Sequence, residues 1–170
     1  MLGKIIAVAG PTASGKTALA IEIAKRFDGE VVSCDSMQIY RHMDIGTAKP
    51  TASEQAQVRH HMIDILEPFE VFSVADFVKE ARRCIDDILS RRKLPVIAGG
   101  TGLYMDSVIE NIAFDDFGSD PAFREDLLKK AEKEGVDAVH RLLEGIDPQA
   151  AEKIHPNNVR RVIRALEVCH

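Results

Sequence analysis

The octet Gly10-Pro11-Thr12-Ala13-Ser14-Gly15-Lys16-Thr17 fits G-x-x-x-x-G-K-[ST], the pattern of a phosphate-binding loop, or P-loop. An apolar run rich in β-branched residues precedes it at 4–9 and predicts a buried parallel strand. Residues 18–27 predict a helix directly after the loop. The spacing of four places three apolar residues on one face of this helix: Leu19, Ile23 and Phe27. Strand, loop and helix therefore stand in the order that a P-loop requires.

The octet indicates how phosphate would be held. Glycines let the backbone curl so that its N–H groups point inward, and the N-terminus of the following helix adds partial positive charge. Lys16 supplies a full charge to the terminal phosphates, and the Thr17 hydroxyl suits a phosphate-bound Mg²⁺. The pattern does not indicate which phosphate compound binds.

Composition limits the functional classes. The 170 residues form one domain, or one domain and part of another, and the hydrophobic content of 45% allows a sizeable core. A net charge of −5 means that any contact with nucleic acid must be a local patch. The 3 cysteines lie far apart without C-x-x-C, so neither a disulfide framework nor a cysteine zinc site is expected.

No signal peptide or transmembrane run is visible in the sequence, and no protein partner is evident from it. The expectation is a cytoplasmic protein without membrane association.

Two further strands are predicted at 30–34 and 94–98, and a capping box at 73–76 opens a long amphipathic helix between them. Residues 103–112 predict another helix, whereas 36–57 are polar and irregular. This alternation favours an α/β fold with a P-loop parallel sheet and helices on both faces.

From Asp115 onward no strand signal recurs. Asp120-Pro121 and Asp147-Pro148 each predict a cap followed by proline at the first helical position, and Asn157 or Asn158 is a candidate cap of a last helix. The predicted division is a phosphate-binding P-loop core at 1–114 and a helical appendage at 115–170.

Ligands of open parallel sheets bind at the carboxyl ends of the strands, so the residues after each predicted strand should line one crevice. Asp35 there suits a general base or a water-mediated Mg²⁺ ligand, or alternatively a helix cap. Ser36 lies beside it, and the Thr101 hydroxyl in a glycine-rich turn suits hydrogen bonding to a phosphate oxygen, or merely closes a tight turn. The third strand ends in Gly99-Gly100 instead of an acidic residue, which disfavours a standard ATPase.

Arg160, Arg161 and Arg164 form the densest positive cluster, on the last predicted helix. Arg161 and Arg164 share a face. The cluster fits either a solvated helix face or a contact with nucleic acid.

Several stretches in order resemble the tRNA dimethylallyltransferases of the bacterial type. Besides the octet they are Asp-Ser-Met-Gln-Ile-Tyr at 35–40, Met-Asp-Ile-Gly-Thr-Ala-Lys-Pro at 43–50, His-Met-Ile-Asp-Ile at 61–65, Phe-Ser-Val-Ala-Asp-Phe at 72–77, Gly-Gly-Thr-Gly-Leu-Tyr at 99–104, and Ile-His-Pro-Asn-Asn at 154–158 followed by Arg161 and Arg-Ala-Leu-Glu at 164–167. Members of this family extend further, so the chain is expected to be an N-terminal fragment that is not active alone.

The resemblance implies transfer of a dimethylallyl group from dimethylallyl diphosphate to the exocyclic amine of the adenosine 3′-adjacent to the anticodon of tRNA. It implies catalytic roles for Asp35 as general base, Thr101 toward the bridging oxygen, and Lys16 toward the leaving diphosphate, with Mg²⁺ at Thr17. The anticodon stem-loop of tRNA would contact a set of polar and basic residues: Asp35, Ser36, Met37, Gln38, Thr101, Arg124, Arg160, Arg161 and Arg164.

Two other functions compatible with the residues remain open at this point. One is an ATP-dependent small-molecule kinase of the P-loop class, which would share the loop, the strand-end acid and a helical lid. The other is a nucleotide-binding module without chemistry. Whether dimethylallyl diphosphate or ATP shifts the melting curve distinguishes the first from the transferase.

Overall fold

The structure is a computed structural model, which describes residues 4–110 and 120–170. The chain divides into two compact units, Met1–Ala113 and Phe114–His170. The sequence places the change one residue further on, between 114 and 115. Each unit is described by itself.

The first unit alternates strands and helices. Its elements are β1 (Ile6–Ala9), α1 (Lys16–Arg26), β2 (Gly29–Ser33), α2 (Ala52–Gln55), β3 (His60–His61), α3 (Val74–Ser90), β4 (Leu94–Gly99) and α4 (Gly102–Ile109). The three predicted strands and the capping box at Ser73 and Asp76 are confirmed. Residues 111 and 112 of the helix predicted at 103–112 lie outside the described residues.

The four strands of this unit form one sheet in the order β1-β4-β2-β3, and every pair is parallel. Val31 and Val96 pair in register and pack with α1, whereas the next pair, Val32 and Ile97, packs with α3 and α4. Since successive side chains of a strand point to opposite faces, the sheet is covered on both sides. The predicted α/β class with helices on both faces is confirmed.

Three local features differ from the sequence prediction. β3 has only two residues, both histidine, which is too short and too polar for a strand signal. α2 lies within the stretch predicted as irregular, where Thr51 and Glu54 form a capping box. On α1 the buried residues are Ala20, Ile21 and Ala24, while much of the Leu19 and Phe27 side chains is exposed.

The second unit, over residues 120–170, consists of helices: α5 (Pro121–Glu134), α6 (Val136–Ile146), α7 (Pro148–Lys153) and α8 (Val159–Val168). Asp120 and Asp147 cap α5 and α7 through their side chains, each with proline at the first turn, as predicted. Asn158 is the N-cap residue of α8, although its side chain makes no capping hydrogen bond. The core of this unit is aliphatic: Leu127, Val139, Leu143, Ala151, Val162, Ile163 and Leu166.

His140 joins α6 to the end of α7 inside this core. Its Nε2 lies 3.1 Å from the carbonyl oxygen of Ala151 and 2.8 Å from that of Ile154, and its Nδ1 lies 3.1 Å from Glu144. Burial disfavours the charged ring, but these acceptors outweigh it and raise the pKa of His140. Both ring nitrogens thus face acceptors, and only the charged imidazole can donate from both.

Among the described residues, no helix combines the length and the apolar character that crossing a membrane requires.

Candidate active site

The loop at 10–17 joins β1 to α1, as the sequence predicts. Gly15, at φ 83°, is the N-cap residue of α1 and offers no side chain, so no side-chain hydrogen bond caps this helix. Its first backbone N–H groups remain available, which is the arrangement that binds anions at a helix N-terminus. Ala13 also has a positive φ of 64°, which curls the loop at a residue that has a Cβ.

A cavity of about 340 Å³ opens beside this loop at the carboxyl ends of the strands. The residues that line it come from the loop, both central strands and the segment after β2: Thr12, Ala13, Ser14, Gly15, Lys16, Thr17, Ala18, Val31, Ser33, Asp35, Gln38, Thr47, Ala48, Pro50, Glu54, His60, Ile63, Ala98, Gly99 and Gly100. The predicted diphosphate loop and Asp35 are thus brought together. Gly10 and Pro11 line a neighbouring cavity instead.

Asp35 lies two residues beyond β2 and faces the same cavity as the loop. Its Oδ1 accepts hydrogen bonds from the backbone N–H groups of Met37 at 2.9 Å and Gln38 at 3.4 Å. Within the described part of the chain, Oδ2 has no hydrogen-bond partner. Asp35 is therefore oriented by the turn that follows it, with one carboxylate oxygen free for a ligand.

Thr101 does not line the cavity of Asp35. It lines a second cavity of about 270 Å³, together with Gly10, Pro11 and the start of α4; Gly99 and Gly100 border both cavities. The Ser36 backbone N–H donates to Thr101 Oγ1 at 3.3 Å, which ties the two strand ends together. The hydroxyl hydrogen of Thr101 stays available for donation. The single crevice expected from the sequence is thus two adjoining cavities.

Gly99 allows this close approach of the strand ends. A Cβ at this position would lie 2.1 Å from the Cys34 carbonyl oxygen and 2.8 Å from its Cβ. No side chain fits there without moving the segment that leads to Asp35. The Gly99-Gly100 pair is therefore explained by packing of β4 against the end of β2.

Gln38, predicted to contact tRNA, is occupied within the protein. Its Nε2 donates to the carbonyl oxygens of Thr47 at 3.2 Å and Ala48 at 3.0 Å, and its Oε1 accepts from Ser33 Oγ at 2.9 Å. Both amide hydrogens are used. In this structure Gln38 positions the 47–48 segment at the cavity wall.

Lys49 is a site-organising residue that the sequence reasoning missed. Its ammonium group is buried, with 4% of the side chain exposed, and contacts Asp44 at 2.7 Å, Asp64 at 2.6 Å and the Tyr40 carbonyl oxygen at 2.9 Å. Burial opposes its charge, yet these partners keep the pKa of Lys49 raised. The signal in the sequence was a lysine amid two nearby acids, whose pairing depends on the fold.

His60 is the second residue that the sequence reasoning did not place at the site. It lies in the cavity wall, and its Nδ1–H donates to the Val58 carbonyl oxygen at 2.9 Å. Its Nε2 is buried without a hydrogen-bond partner among the described residues. Burial lowers the pKa of His60, so the ring is neutral at pH 7 with a lone pair on Nε2.

The arginines predicted to contact tRNA differ in their surroundings. Arg124 and Arg164 both donate to Glu167 Oε2, at 2.7 and 2.6 Å, and Glu167 has 2% of its side chain exposed. The Arg124 guanidinium is the main cause that lowers the pKa of Glu167 to about 2. Arg160 and Arg161 are exposed and have no ion pair within residues 120–170.

The oxygen donors of the first cavity fit a magnesium ion that also binds phosphate. Thr17 and Asp35 both line it, and Mg²⁺ prefers oxygen ligands that include phosphates and few carboxylates. No group of three or more His, Cys, Asp or Glu side chains forms a metal site on its own in the described ranges. A metal held here would depend on the phosphates of its ligand.

The parallel sheet and the loop between β1 and α1 define the class: an α/β protein of the P-loop pattern. Comparison with known proteins narrows this class. The family model for IPP transferase matches residues 38–170, and that for isopentenyl transferase matches residues 3–68. The chain belongs to the IPP transferase family.

The chain is similar in sequence to curated tRNA dimethylallyltransferases. It is 56% identical over 168 residues to that of Carboxydothermus hydrogenoformans, covering 99% of this chain and 54% of the relative. It is 54% identical to that of Bacillus mycoides, covering 98% of this chain and 53% of the relative. The chain thus spans about half the length of these relatives.

Solved structures give the same result. A full-length tRNA isopentenylpyrophosphate transferase from Bacillus halodurans is 53% identical, with a TM-score of 0.65 over 97% of this chain and 55% of that one. A eukaryotic dimethylallyltransferase acting on tRNA is 33% identical, with a TM-score of 0.83 over 98% of this chain and 41% of that one. These relatives favour the transferase over the kinase.

Proposed function

We propose that the whole protein transfers a dimethylallyl group from dimethylallyl diphosphate to the exocyclic amine of the adenosine 3′-adjacent to the anticodon in tRNA. The observation that carries this proposal is the cavity shared by the loop at 12–17 and the Asp35 carboxylate. This cavity combines a loop suited to bind an anion with a carboxylate that could accept a proton. The relatives named as tRNA dimethylallyltransferases supply the substrate class.

The diphosphate of the donor is proposed to bind the loop at 10–17. Lys16 and the N–H groups at the start of α1 would stabilise the charge that develops on the departing diphosphate. Thr17 would ligate Mg²⁺ together with the phosphates, and the metal would supply further charge neutralisation. Because an allylic carbon can bear positive charge, stabilising this leaving group should account for much of the catalysis.

Asp35 is proposed to accept the proton of the amine. The bond from the allylic carbon to the bridging oxygen breaks, the bond from that carbon to the amine nitrogen forms, and Asp35 Oδ2 takes the proton. General base catalysis of this kind contributes roughly 10²–10⁴-fold. Thr101, whose Oγ1 accepts from the Ser36 N–H, is proposed to donate its hydroxyl hydrogen to the bridging oxygen. In support, the cavity that Thr101 lines shares Gly99 and Gly100 with the cavity of Asp35.

The acceptor adenine must leave its stack to reach such a cavity, which costs least in a single-stranded loop such as the anticodon loop. We propose that residues 1–114 bind the diphosphate and that residues 115–170 form the main tRNA-binding part, through Arg124 and the arginines of α8. Asp35 to Gln38 and Thr101 of the first part are proposed to contact the tRNA as well. The cytoplasm, which holds the tRNA, is the proposed location.

Incubating the full-length protein with dimethylallyl diphosphate, Mg²⁺ and an anticodon stem-loop tests the proposal. The expected result is a gain in RNA mass of one C₅H₈ group, with release of diphosphate. Lys16→Ala serves as the control, which should bind neither pyrophosphate nor the donor in titration calorimetry. An unmodified stem-loop, or a melting curve that ATP shifts and dimethylallyl diphosphate does not, would contradict the proposal.

A further inference from the structure

The segment at 43–48, here called the rim loop, carries an unexplained apolar residue. Thr47 and Ala48 of this loop line the cavity that contains the P-loop and Asp35. Ile45 lies outside the lining, and 99% of it is exposed. Ile45 lies two positions before Thr47, so their Cα atoms lie within about 7 Å. An isoleucine therefore stands in solvent at the mouth of the candidate active site.

Hydrogen bonds hold the rim loop from both sides, so this exposure is a fixed feature. Thr47 Oγ1 donates to the Met43 carbonyl oxygen at 2.7 Å, which closes the loop on itself. The Gln38 side chain donates to the carbonyl oxygens of Thr47 and Ala48, at 3.2 and 3.0 Å. On the other side, the buried Lys49 ammonium holds Asp44 at 2.7 Å. Turning Ile45 inward would break these hydrogen bonds and the ion pair of Lys49 with Asp44.

The backbone of the rim loop is also unusual. Gly46 and Ala48 of the loop have φ values of 81° and 50°, and His42, directly before the loop, has a φ of 63°; His42 and Ala48 carry a Cβ. Such conformations are unfavourable for residues other than glycine and persist only where surrounding contacts impose them. Backbone of this kind is concentrated at functional sites. The contacts of Gln38 and Lys49 thus maintain a costly loop shape that exposes an apolar side chain.

The position of Ile45 suits contact with one of the two proposed substrates, the RNA, and not with the other, the diphosphate. A small diphosphate inside the cavity meets Thr47 and Ala48 but does not reach Ile45. A polymer whose reacting group enters the cavity must cross the rim. We propose that Ile45 is an apolar contact for the faces of unstacked bases in the RNA substrate, next to the nucleotide that enters the cavity.

The chemistry of the surroundings fits this partner. Unstacked bases of single-stranded RNA present apolar faces, which proteins cover with flat or apolar side chains. Met37, on the turn after Asp35, adds a second apolar side chain that is 41% exposed. The proposal rests on the function proposed above, since it requires RNA as the acceptor.

The test compares two uncharged substitutions in the full-length protein. Ile45→Asn removes the apolar tip, and Val71→Asn is the matched control, because Val71 is 96% exposed and lines none of the cavities described here. Neither adds charge that would repel RNA. Stem-loop affinity should fall about tenfold for Ile45→Asn and stay unchanged for Val71→Asn. KM for the stem-loop should rise with kcat unchanged, as expected for lost uniform binding.

Two accompanying measurements make the outcome decisive. Melting temperature and pyrophosphate affinity should be the same in all variants, and Ile45→Leu should restore most of the RNA affinity. Wild-type protein that does not bind the stem-loop overturns the proposed function and the Ile45 contact with it. Wild-type binding that Ile45→Asn leaves unchanged, or that Val71→Asn weakens equally, overturns the Ile45 contact alone.

Discussion

Strand β2 carries one carboxylate near its amino end, Glu30, and leads to another just beyond its carboxyl end, Asp35. These two carboxylates differ in their hydrogen-bond partners and in their exposure to a cavity. Glu30, at the amino end, is buried with 5% of its side chain exposed. Both of its oxygens accept from the Arg91 guanidinium, and His61 Nε2 donates to Oε2 at 2.7 Å. Asp35, beyond the carboxyl end, receives backbone N–H groups at one oxygen and faces a cavity with the other.

This difference distinguishes a carboxylate that stabilises the fold, Glu30, from one that is available to a ligand, Asp35. Arg91 is the main cause that lowers the pKa of Glu30 to about 2, so this carboxylate remains charged and holds β2, β3 and the end of α3 together. Asp35 keeps unused hydrogen-bonding capacity, which a ligand can use. Glu167 with Arg124 and Arg164 repeats the paired arrangement in the second unit, beside Arg160 and Arg161, which have no ion pair within residues 120–170. Four experiments test this distinction.

The largest expected effect is on catalysis at Asp35. Asp35→Asn in the full-length enzyme should slow single-turnover transfer by roughly 10²-fold or more, because the amide keeps the shape of the side chain but cannot accept the proton. Pyrophosphate affinity and melting temperature should change little. A rate equal to that of the wild type would show that Asp35 is not the base.

The second effect is on stability at Glu30. Glu30→Gln should lower the free energy of unfolding by about 2 kcal/mol, since the buried side chain loses the charge-assisted hydrogen bonds from Arg91 and His61. Urea unfolding measures this loss, with Asp35→Asn, just beyond the same strand, as the matched control. If the two variants were equally stable, Glu30 would contribute no more to stability than Asp35, and the contrast drawn between these two carboxylates would be wrong.

The third test uses pH. A carboxylate with a lowered pKa contributes stability that is present above its unfolded value of 4.5 and is lost as the pH falls toward about 2. The difference in unfolding free energy between the wild type and Glu30→Gln should therefore be constant from pH 5 to 7 and shrink below about pH 4.5. A difference that is independent of pH down to 2 would contradict the assigned ion pairs.

The smallest effect concerns the arginines of α8. Replacing Arg160 and Arg161 by alanine in the full-length protein should flatten the log–log salt dependence of tRNA binding by about 0.7–0.9 per lost phosphate contact, with the melting temperature unchanged. Arg164→Ala should mainly lower the melting temperature, because it removes a partner of buried Glu167. An unchanged slope in the folded double variant would exclude these two arginines as phosphate contacts.

The sequence predicted the parts of the fold that depend on local pattern. The apolar runs of β1, β2 and β4, the capping box at Ser73 and the proline-started helices of the second unit all follow from neighbouring residues. The proximity of Asp35 to the loop followed from the rule that parallel strands end at one edge of the sheet.

The remaining features depend on contacts between distant residues. Two histidines pair as β3 only because β2 lies beside them, at Val31 and Val32. Lys49 forms its buried ion pair with Asp64 only in the folded chain, because the two residues are 15 positions apart in the sequence. The pairing of Arg124 with Glu167 spans 43 positions. A cluster of charged residues in a sequence does not show which of them form ion pairs. In this protein the ion pairs depend on which distant residues the fold brings together.

The close contact at Gly99 bears on how loss-of-function variants are interpreted. Any larger residue there meets the Cys34 backbone, so the turn that carries Asp35 must move. A genetic screen scored only by activity would rank Gly99 with Asp35, although glycine offers no group for chemistry. Variants at the two positions would still differ biochemically. An Asp35 variant is expected to be stable and to keep its affinity for pyrophosphate, whereas a Gly99 variant is expected to shift the segment that leads to Asp35 and to disturb both cavities that Gly99 lines.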